Sequence, residues 1–215
     1  AALWEARMRE PQTAPPEALR PVVIVPGRIP THQQLKLARD RRSGAQPGGE
    51  SHGSALLDTF LAQRADRYLD SLAYPDGAAE SSSRLSPYLT YGALSLRRVV
   101  QATRRLHQVE RDKDLGDGRQ AWLKALRAYE SRLHWRDHFI QKLEDEPAIE
   151  QAHFVRALQG VREPGFNRTW FDAWCRGATG YPLVDAAMRS VLATGWLNFR
   201  MRAMLVSFAA YDLWL

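Results

Sequence analysis

One cysteine, Cys175, stands among 215 residues. That scarcity excludes a disulfide scaffold and a cysteine-built metal site, and it suits a reducing compartment. No apolar run approaches the ~18 residues that a membrane-spanning helix needs, and no signal-peptide pattern opens the chain. The expectation is therefore no membrane partner and a cytoplasmic place. Lysine is scarce as well: Lys36, Lys113, Lys124 and Lys142 are four of the 30 basic residues, and the rest are arginine. Against 24 acidic residues the formal charge is +6. Arginine is the better residue for bidentate phosphate contacts and for stacking on bases. A GC-rich genome would produce the same bias, so charge alone leaves an anionic partner and plain codon usage both open. Internal repeats and an alternating strand–helix pattern are also missing.

What is present is enough apolar material for a core. Hydrophobic residues make up 45% of the chain, with seven each of Trp, Tyr and Phe, which excludes a disordered protein. The chain begins without Met and stops at Tyr211-Asp-Leu-Trp-Leu215, inside an apolar helical pattern, as expected for a piece of a longer protein. Residues 1–50 read as an irregular linker wrapping a globular body, punctuated by Pro11, Pro15, Pro16, Pro21, Pro26 and Pro30 and closed by a Gly/Pro-rich stretch. Val22-Val-Ile-Val25 could be a strand standing alone. From residue 51 the pattern is helical, and the expected fold is an all-α, irregular helical bundle.

Ser54 reads as the cap of a first helix carrying Leu56, Leu57, Phe60, Leu61 and Tyr68, followed by a Gly/Ser-rich loop to about Ser83. Ser95 caps a second helix to about His107, and Arg119 to Leu143 is the longest. The core stripe of that long helix is Trp122, Leu126, Tyr129, Leu133 and Ile140. Pro182 suits the first turn of a helix ending near Gly195, and a last helix runs from about Trp196 to the chain end.

Three constellations could carry chemistry. Ser81-Ser-Ser-Arg-Leu-Ser86, followed by Pro87, is a hydroxyl-rich turn with one Arg. Small residues let backbone N–H groups approach an anion, so the turn could cradle a diphosphate; it could equally be a solvated loop. Arg132, Trp135, Arg136 and Phe139 share a helix face beside the core stripe. Interleaved cations and aromatics hold phosphates and stack on bases, but Trp135 and Phe139 could also be core with the Arg side chains snorkelling outward. His134 and His138 have the spacing of a helical metal pair without a third ligand, so no metal is expected. Trp174 through Arg189 and Thr194 through Arg202 form two helices meeting at glycine turns. There Asn198 and Arg202 share a face, and a buried Arg would need either an anion or an acidic partner, with Asp185 the nearest candidate. Asp185 and Arg189 could also be a simple surface pair.

These segments, in this order, resemble the photolyase/cryptochrome family: Ser82-Ser-Arg-Leu-Ser-Pro-Tyr-Leu-Thr-Tyr-Gly92, Leu133-His-Trp-Arg-Asp-His-Phe139, Trp174 through Arg189, and Thr194-Gly-Trp through Arg202. The resemblance covers residues 54–215 and implies the first part of a helical FAD-binding domain. It implies that Ser82, Ser83, Arg84, Leu85 and Ser86 hold the FAD phosphates, that Asn198 is a cofactor-binding residue, and that Arg202 lies next to the flavin ring and pairs with a downstream Asp. It implies DNA contacts at Arg132, Trp135, Arg136, Trp196 and Arg200, with Trp135 and Arg202 the candidates for catalytic roles. Photolyases use light and reduced FAD to pass an electron to a flipped-out pyrimidine dimer; cryptochromes keep the flavin and signal instead.

Departures from the family pattern bear on that choice. Arg132 stands where common repair enzymes carry a Glu that hydrogen-bonds the dimer, and Asn198-Phe199 stands where His-Asn is usual. The family's antenna domain lies upstream and further helices lie downstream of the matching region. No antenna site, adenine-side contact or electron-transfer Trp chain is therefore assignable in these residues, and Trp170 and Trp174 are expected in the core. The expectation is a light-driven, FAD-dependent DNA repair lyase. The alternatives are a cryptochrome-like FAD photosensor and a cofactor-free helical nucleic-acid-binding module.

Overall fold

The computed structural model of the chain describes residues 2–14, 16–18, 27–38, 42–111 and 118–215, apart from the side chains of Asp70, Ser71 and Ala73. Among the described residues there are helices and turns and no strand. The valine run at 22–25 lies outside them.

The longest helix, α7 (Gly118–Asp145), organises the first half. Its Leu126, Tyr129 and Leu133 are buried at the expected spacing, while Trp122 is partly buried against them. Ile140 departs from the stripe and is exposed, because α7 runs on past the body that covers its earlier turns. Against this stripe pack α6 (Leu96–Arg111), through Val99 and Val100, and α2 (Glu50–Thr59), through Leu57. Phe60, fully buried, opens a π-helical turn (Phe60–Arg64) that bends the chain after α2. Truncating such a ring to Ala costs about 3–5 kcal/mol.

Three short helices follow: α3 (Tyr68–Ala73), α4 (Ala78–Ser81) and α5 (Ser86–Thr90). The first two occupy most of the stretch expected to be a loop, and α5 follows it. Ser54 is not a cap either; α2 starts four residues earlier, after Gly49 at φ 101°. α6 extends to Arg111, one turn beyond the expected end.

The segment expected to be irregular begins as helix α1 (Ala2–Arg9). Its Met8 enters the first core, Trp4 Nε1 donates to Asp137 on α7 (2.9 Å), and Glu5 accepts from Arg104 on α6 (2.9 Å). Further on, residues 42–48 are non-helical and touch two separate parts of the body. Gln46 Nε2 donates to the Arg84 carbonyl (3.1 Å) and the Pro47 carbonyl accepts from Tyr88 Oη (2.6 Å). Gly44 lies so close to Thr194 that an added Cβ would stand 2.9 Å from its Cγ2.

The second core joins α8 (Arg168–Arg176), α9 (Pro182–Thr194) and α10 (Phe199–Ser207) through Trp174, Val184, Met188, Met201, Leu205 and Phe208. α9 has the expected bounds, with Pro182 in its first turn and Gly195 at φ 70° ending it. The last helix starts later than expected, because Asn198 caps it by accepting from the Met201 N–H (3.1 Å). Trp170, expected in the core, is half exposed on α8. Among the described residues no helix is long and apolar enough to cross a membrane.

Candidate functional site

A cleft of about 860 Å³ opens between the two cores. One wall is the turn from Pro75 to Glu80 with Arg84; the other is α9 and the start of α10, including Ser190, Trp196, Asn198 and Met201. The volume falls in the range of small-molecule and cofactor sites.

Of the serine turn, Arg84 lines this cleft, on the same wall as Asp76 and Glu80. Ser81 is buried at the end of α4, its hydroxyl donating to the Gly77 carbonyl (2.6 Å). Ser82 is extended, and Arg84 sits in the left-handed region at φ 54°. A left-handed residue beside right-handed ones turns successive N–H groups toward one side, a geometry that suits anions. Among the described residues the N–H groups of Ser83 and Arg84 make no hydrogen bond. Ser82 Oγ and Arg84 Nε are buried and without a partner. The Arg84 guanidinium carbon lies 5.1 Å above the Trp196 ring, a cation–π contact that ties the loop to the opposite wall. Leu85 is buried beneath the loop, while Ser86 is exposed in the first turn of α5.

Beneath the turn, burial pushes the pKa of the Tyr129 hydroxyl well up, and nearby Ser83 opposes the shift. Tyr68 is raised to about 12 by burial, with the Arg132 charge opposing. Arg64 is held by the Ser82 carbonyl (2.6 Å) and the Leu56 carbonyl (2.9 Å). Burial first, and then the positive charge of Arg84, lower its pKa. Two guanidiniums thus crowd one loop, and among the described residues neither has a carboxylate partner. Orphaned buried donors beside unneutralised cations fit a phosphate-bearing ligand such as the diphosphate of FAD.

The aromatic–arginine face lies on α7. Trp135 and Phe139 are 50% and 57% exposed, so they are surface residues and not core. Their rings lie 6.0 Å apart, with His138 edge-on to Trp135. Arg136 is partly buried: Nη2 donates to the Leu89 carbonyl of α5 (3.1 Å) and Nη1 lies 3.5 Å from Asp137. Arg132 stacks over Phe199 at 5.7 Å, joining this face to the start of α10. His134 packs edge-on to Trp4, and no three metal-ligating residues gather among the described residues.

On α10, Arg200 is exposed and Arg202 donates from Nε to the Leu197 carbonyl (3.0 Å). Asp185 is not their partner. Its buried carboxylate accepts from Thr179 N (2.7 Å), Thr179 Oγ1 (2.6 Å) and Gly180 N (3.0 Å), and lies 3.8 Å from exposed Arg189. It is neither a ligand for the α10 arginines nor a simple surface pair; it fastens the turn before α9. The structure therefore brings Arg84 of the serine loop, Trp196 and Asn198 to one cleft, leaves Ser82, Ser83, Ser86, Arg200 and Arg202 outside its lining, and pairs Arg132 with Phe199. Trp196, expected among the DNA contacts, lies on the cleft wall beneath Arg84. Reasoning from sequence missed Arg64, Gln46 and Phe199, whose partners lie too far along the chain for any local spacing to reveal.

A family model described as the FAD binding domain of DNA photolyase matches residues 129–215. The deoxyribodipyrimidine photo-lyase of Vibrio cholerae is 37% identical over 161 residues, which are 74% of this chain and 31% of that protein. The chain belongs to the DNA photolyase/cryptochrome family. Among solved structures of that family, a bacterial class III photolyase from Agrobacterium tumefaciens superposes with a TM-score of 0.75 at 24% identity, covering 99% of this chain and 43% of that one. A Synechocystis cryptochrome superposes with a TM-score of 0.64 at 30% identity, covering 86% and 37%. The chain thus spans less than half the length of each of these photolyases and cryptochromes. The matched photolyase domain takes FAD and contains the α7 face and the Trp196–Arg202 segment, while the serine loop lies before it.

Proposed function

We propose that this chain forms the phosphate-holding and DNA-facing part of a flavin-dependent, blue-light-driven DNA repair protein. The observation that carries the reading is the loop at Ser82–Ser86, with its orphaned Ser82 Oγ and Arg84 Nε, beside a cofactor-sized cleft that Arg84 lines. FAD, when bound, supplies a light-excited electron donor for a flipped-out pyrimidine lesion. Ser82, Ser83, Arg84 and Ser86 would hold its phosphates, Leu85 would anchor their loop, and Asn198 and Arg202 would line its flavin side. Trp135 would stack on the lesion or the base beside it, and Arg132, Arg136 and Arg200 would meet DNA phosphates. A damaged base is already poorly stacked, so extruding it costs less than extruding an intact one, which supports selectivity. Catalytic roles fall to Trp135, at the lesion, and Arg202, at the flavin.

One observation favours the second reading, a cryptochrome-like photosensor. Arg132 is held over Phe199, and by the family resemblance it stands where common repair enzymes carry a Glu that accepts a hydrogen bond from the dimer, which a cation cannot do. The deciding experiment uses the whole protein. Its chromophore is released and identified, and dimer-containing DNA is then incubated with it under blue light. FAD with restored DNA supports repair; FAD with binding but intact dimers supports the sensor. A protein without flavin refutes both. Arg84→Ala should lower FAD content, and unchanged content removes the loop from the site.

A further inference from the structure

Arg64 lies 18 residues before Ser82, in the π-helical turn after α2. Its Nη1 donates to the carbonyls of Ser82 (2.6 Å) and Glu80 (3.4 Å). Its Nη2 donates to the Leu56 carbonyl (2.9 Å) and to Thr59 Oγ1 (3.3 Å). The guanidinium also stands 5.5 Å from the Phe60 ring centre, and Phe60 is fully buried. Four acceptors and a stacked ring leave this planar cation little freedom. It joins the serine loop to α2 in the first core, while Gln46 takes the Arg84 carbonyl from the other side.

The result is a loop whose Ser82 and Arg84 carbonyls are occupied and whose Ser83 and Arg84 N–H groups are not. A carbonyl facing an anion would repel it, so occupying carbonyls elsewhere favours anion binding. The positive charge adds to that of Arg84, at the cost of repulsion when nothing negative lies between them. The lowered pKa of Arg64, due to burial and then to Arg84, reflects that repulsion.

We propose that Arg64 is a positioning residue for the phosphate-binding loop, holding the Ser82–Arg84 backbone so that its N–H groups and the Arg84 side chain receive a diphosphate. This rests on the reading that the loop holds the FAD phosphates. Both Nη atoms are taken by the chain itself, so Arg64 acts through the loop and not by touching the ligand.

The test uses the whole protein stripped of flavin and titrated with FAD or with riboflavin, which has no phosphate, with binding followed by flavin fluorescence. Arg64→Met should weaken FAD by about tenfold or more, the scale of a lost charge-assisted bond, and should leave riboflavin within about twofold. Arg64→Lys keeps the charge but not the fork, and should reduce the preference for FAD over riboflavin by about threefold. Arg84→Met tests the underlying reading. If it weakens FAD and Arg64→Met does not, the Arg64 proposal fails alone. If neither variant changes FAD binding, the loop reading fails and the proposal with it. Equal losses for FAD and riboflavin in Arg64→Met make the residue a general structural brace and overturn the proposal. Should Arg64→Met fail to fold, an unchanged FAD preference in Arg64→Lys overturns it as well.

Discussion

Removing the Asn198 side chain should loosen the start of α10 and one wall of the cleft together. Asn198 is 7% exposed and uses both ends of its amide. Oδ1 accepts from Met201 N (3.1 Å), which caps α10; Nδ2 donates to the Tyr74 carbonyl (3.2 Å), which closes α3. In Asn198→Ala the lost cap costs about 1 kcal/mol. The Tyr74 carbonyl, left without its donor, costs about 1 kcal/mol more. The sum is about 2 kcal/mol, and for a chain of this length each kcal/mol moves the melting temperature by roughly 2–4 °C, so calorimetry should show a fall of about 4–8 °C. Asn198→Asp separates the two halves. Its carboxylate still caps the helix and is favoured by the helix N-terminus, but it cannot donate to Tyr74. It should recover about half the loss. A shift under about 1 °C in Asn198→Ala, or equal losses in both variants, would refute the two-ended role.

Trp135→Ala should leave the melting temperature nearly unchanged, since the ring is half exposed, while weakening binding to dimer-containing DNA by about tenfold, a typical value for one stacked base; unchanged DNA binding removes Trp135 from the interface. Acid should destabilise the turn before α9. Hydrogen bonds from Thr179 and Gly180 lower the Asp185 pKa, so its stabilisation is present above the ordinary carboxylate range and fades as pH falls through its lowered value. Glu163 behaves alike, held at about 2 by its own and neighbouring backbone N–H groups. Unfolding followed from about pH 5 to about pH 2 should show falling stability, and Asp185→Asn should flatten that slope; an unchanged slope counts against the Asp185 role. Gly177→Ala should destabilise by about 1–3 kcal/mol, because φ is +63° and the new Cβ would stand 2.8 Å from the Asp185 carbonyl; chemical denaturation measures it, and a neutral result would mean the turn relaxes freely.

Legibility followed the range of the interactions. α9 was readable to its ends because Pro182 and Gly195 act within their own turns. The middle of α7 was readable because the 3.6-residue period reports the face that packs, and it misled at Ile140, where the helix continues but its covering does not. Ser54 misled because α2 begins before its apolar residues do. The serine loop could be located, since Ser and Arg are adjacent in sequence, but its backbone shape could not. That shape depends on Arg64, Gln46 and Trp196, which lie 18, 38 and more than 100 residues from their partners in the loop. Whether Trp135 was core or surface was likewise undecidable from spacing, because both arrangements place aromatics on one helix face.

The arginine bias, which composition left between codon usage and an anionic partner, can be judged from how the charges are placed. On α6, Arg97, Arg98 and Arg104 each meet a carboxylate: Glu10 at 2.8 Å, Glu50 at 3.0 Å, and Glu5 and Glu130 at 2.9 and 2.6 Å. These pairs join α1 and α2 to α6 and neutralise that side. Around the cleft and the start of α10 the pattern reverses. Among the described residues, Arg64, Arg67, Arg84, Arg132, Arg200 and Arg202 have no carboxylate partner; Arg64, Arg84, Arg132 and Arg202 meet carbonyls, a hydroxyl and aromatic rings instead. Among the described residues Arg105, Arg127, Arg162 and Arg176 also lack a carboxylate partner away from the cleft, so the separation is a bias and not a rule. Codon usage could account for arginine in place of lysine; it would not account for which arginines meet carboxylates, although Asp76 and Glu80 also line the cleft. Cations without neutralising carboxylates repel one another, as the Arg84 charge helps to lower the Arg64 pKa after burial, and a bound polyanion relieves that repulsion. A cofactor diphosphate on the rim and a DNA backbone across the α7 and α10 faces would each supply such a charge, which makes the placement of arginine, more than its abundance, the physical ground for both.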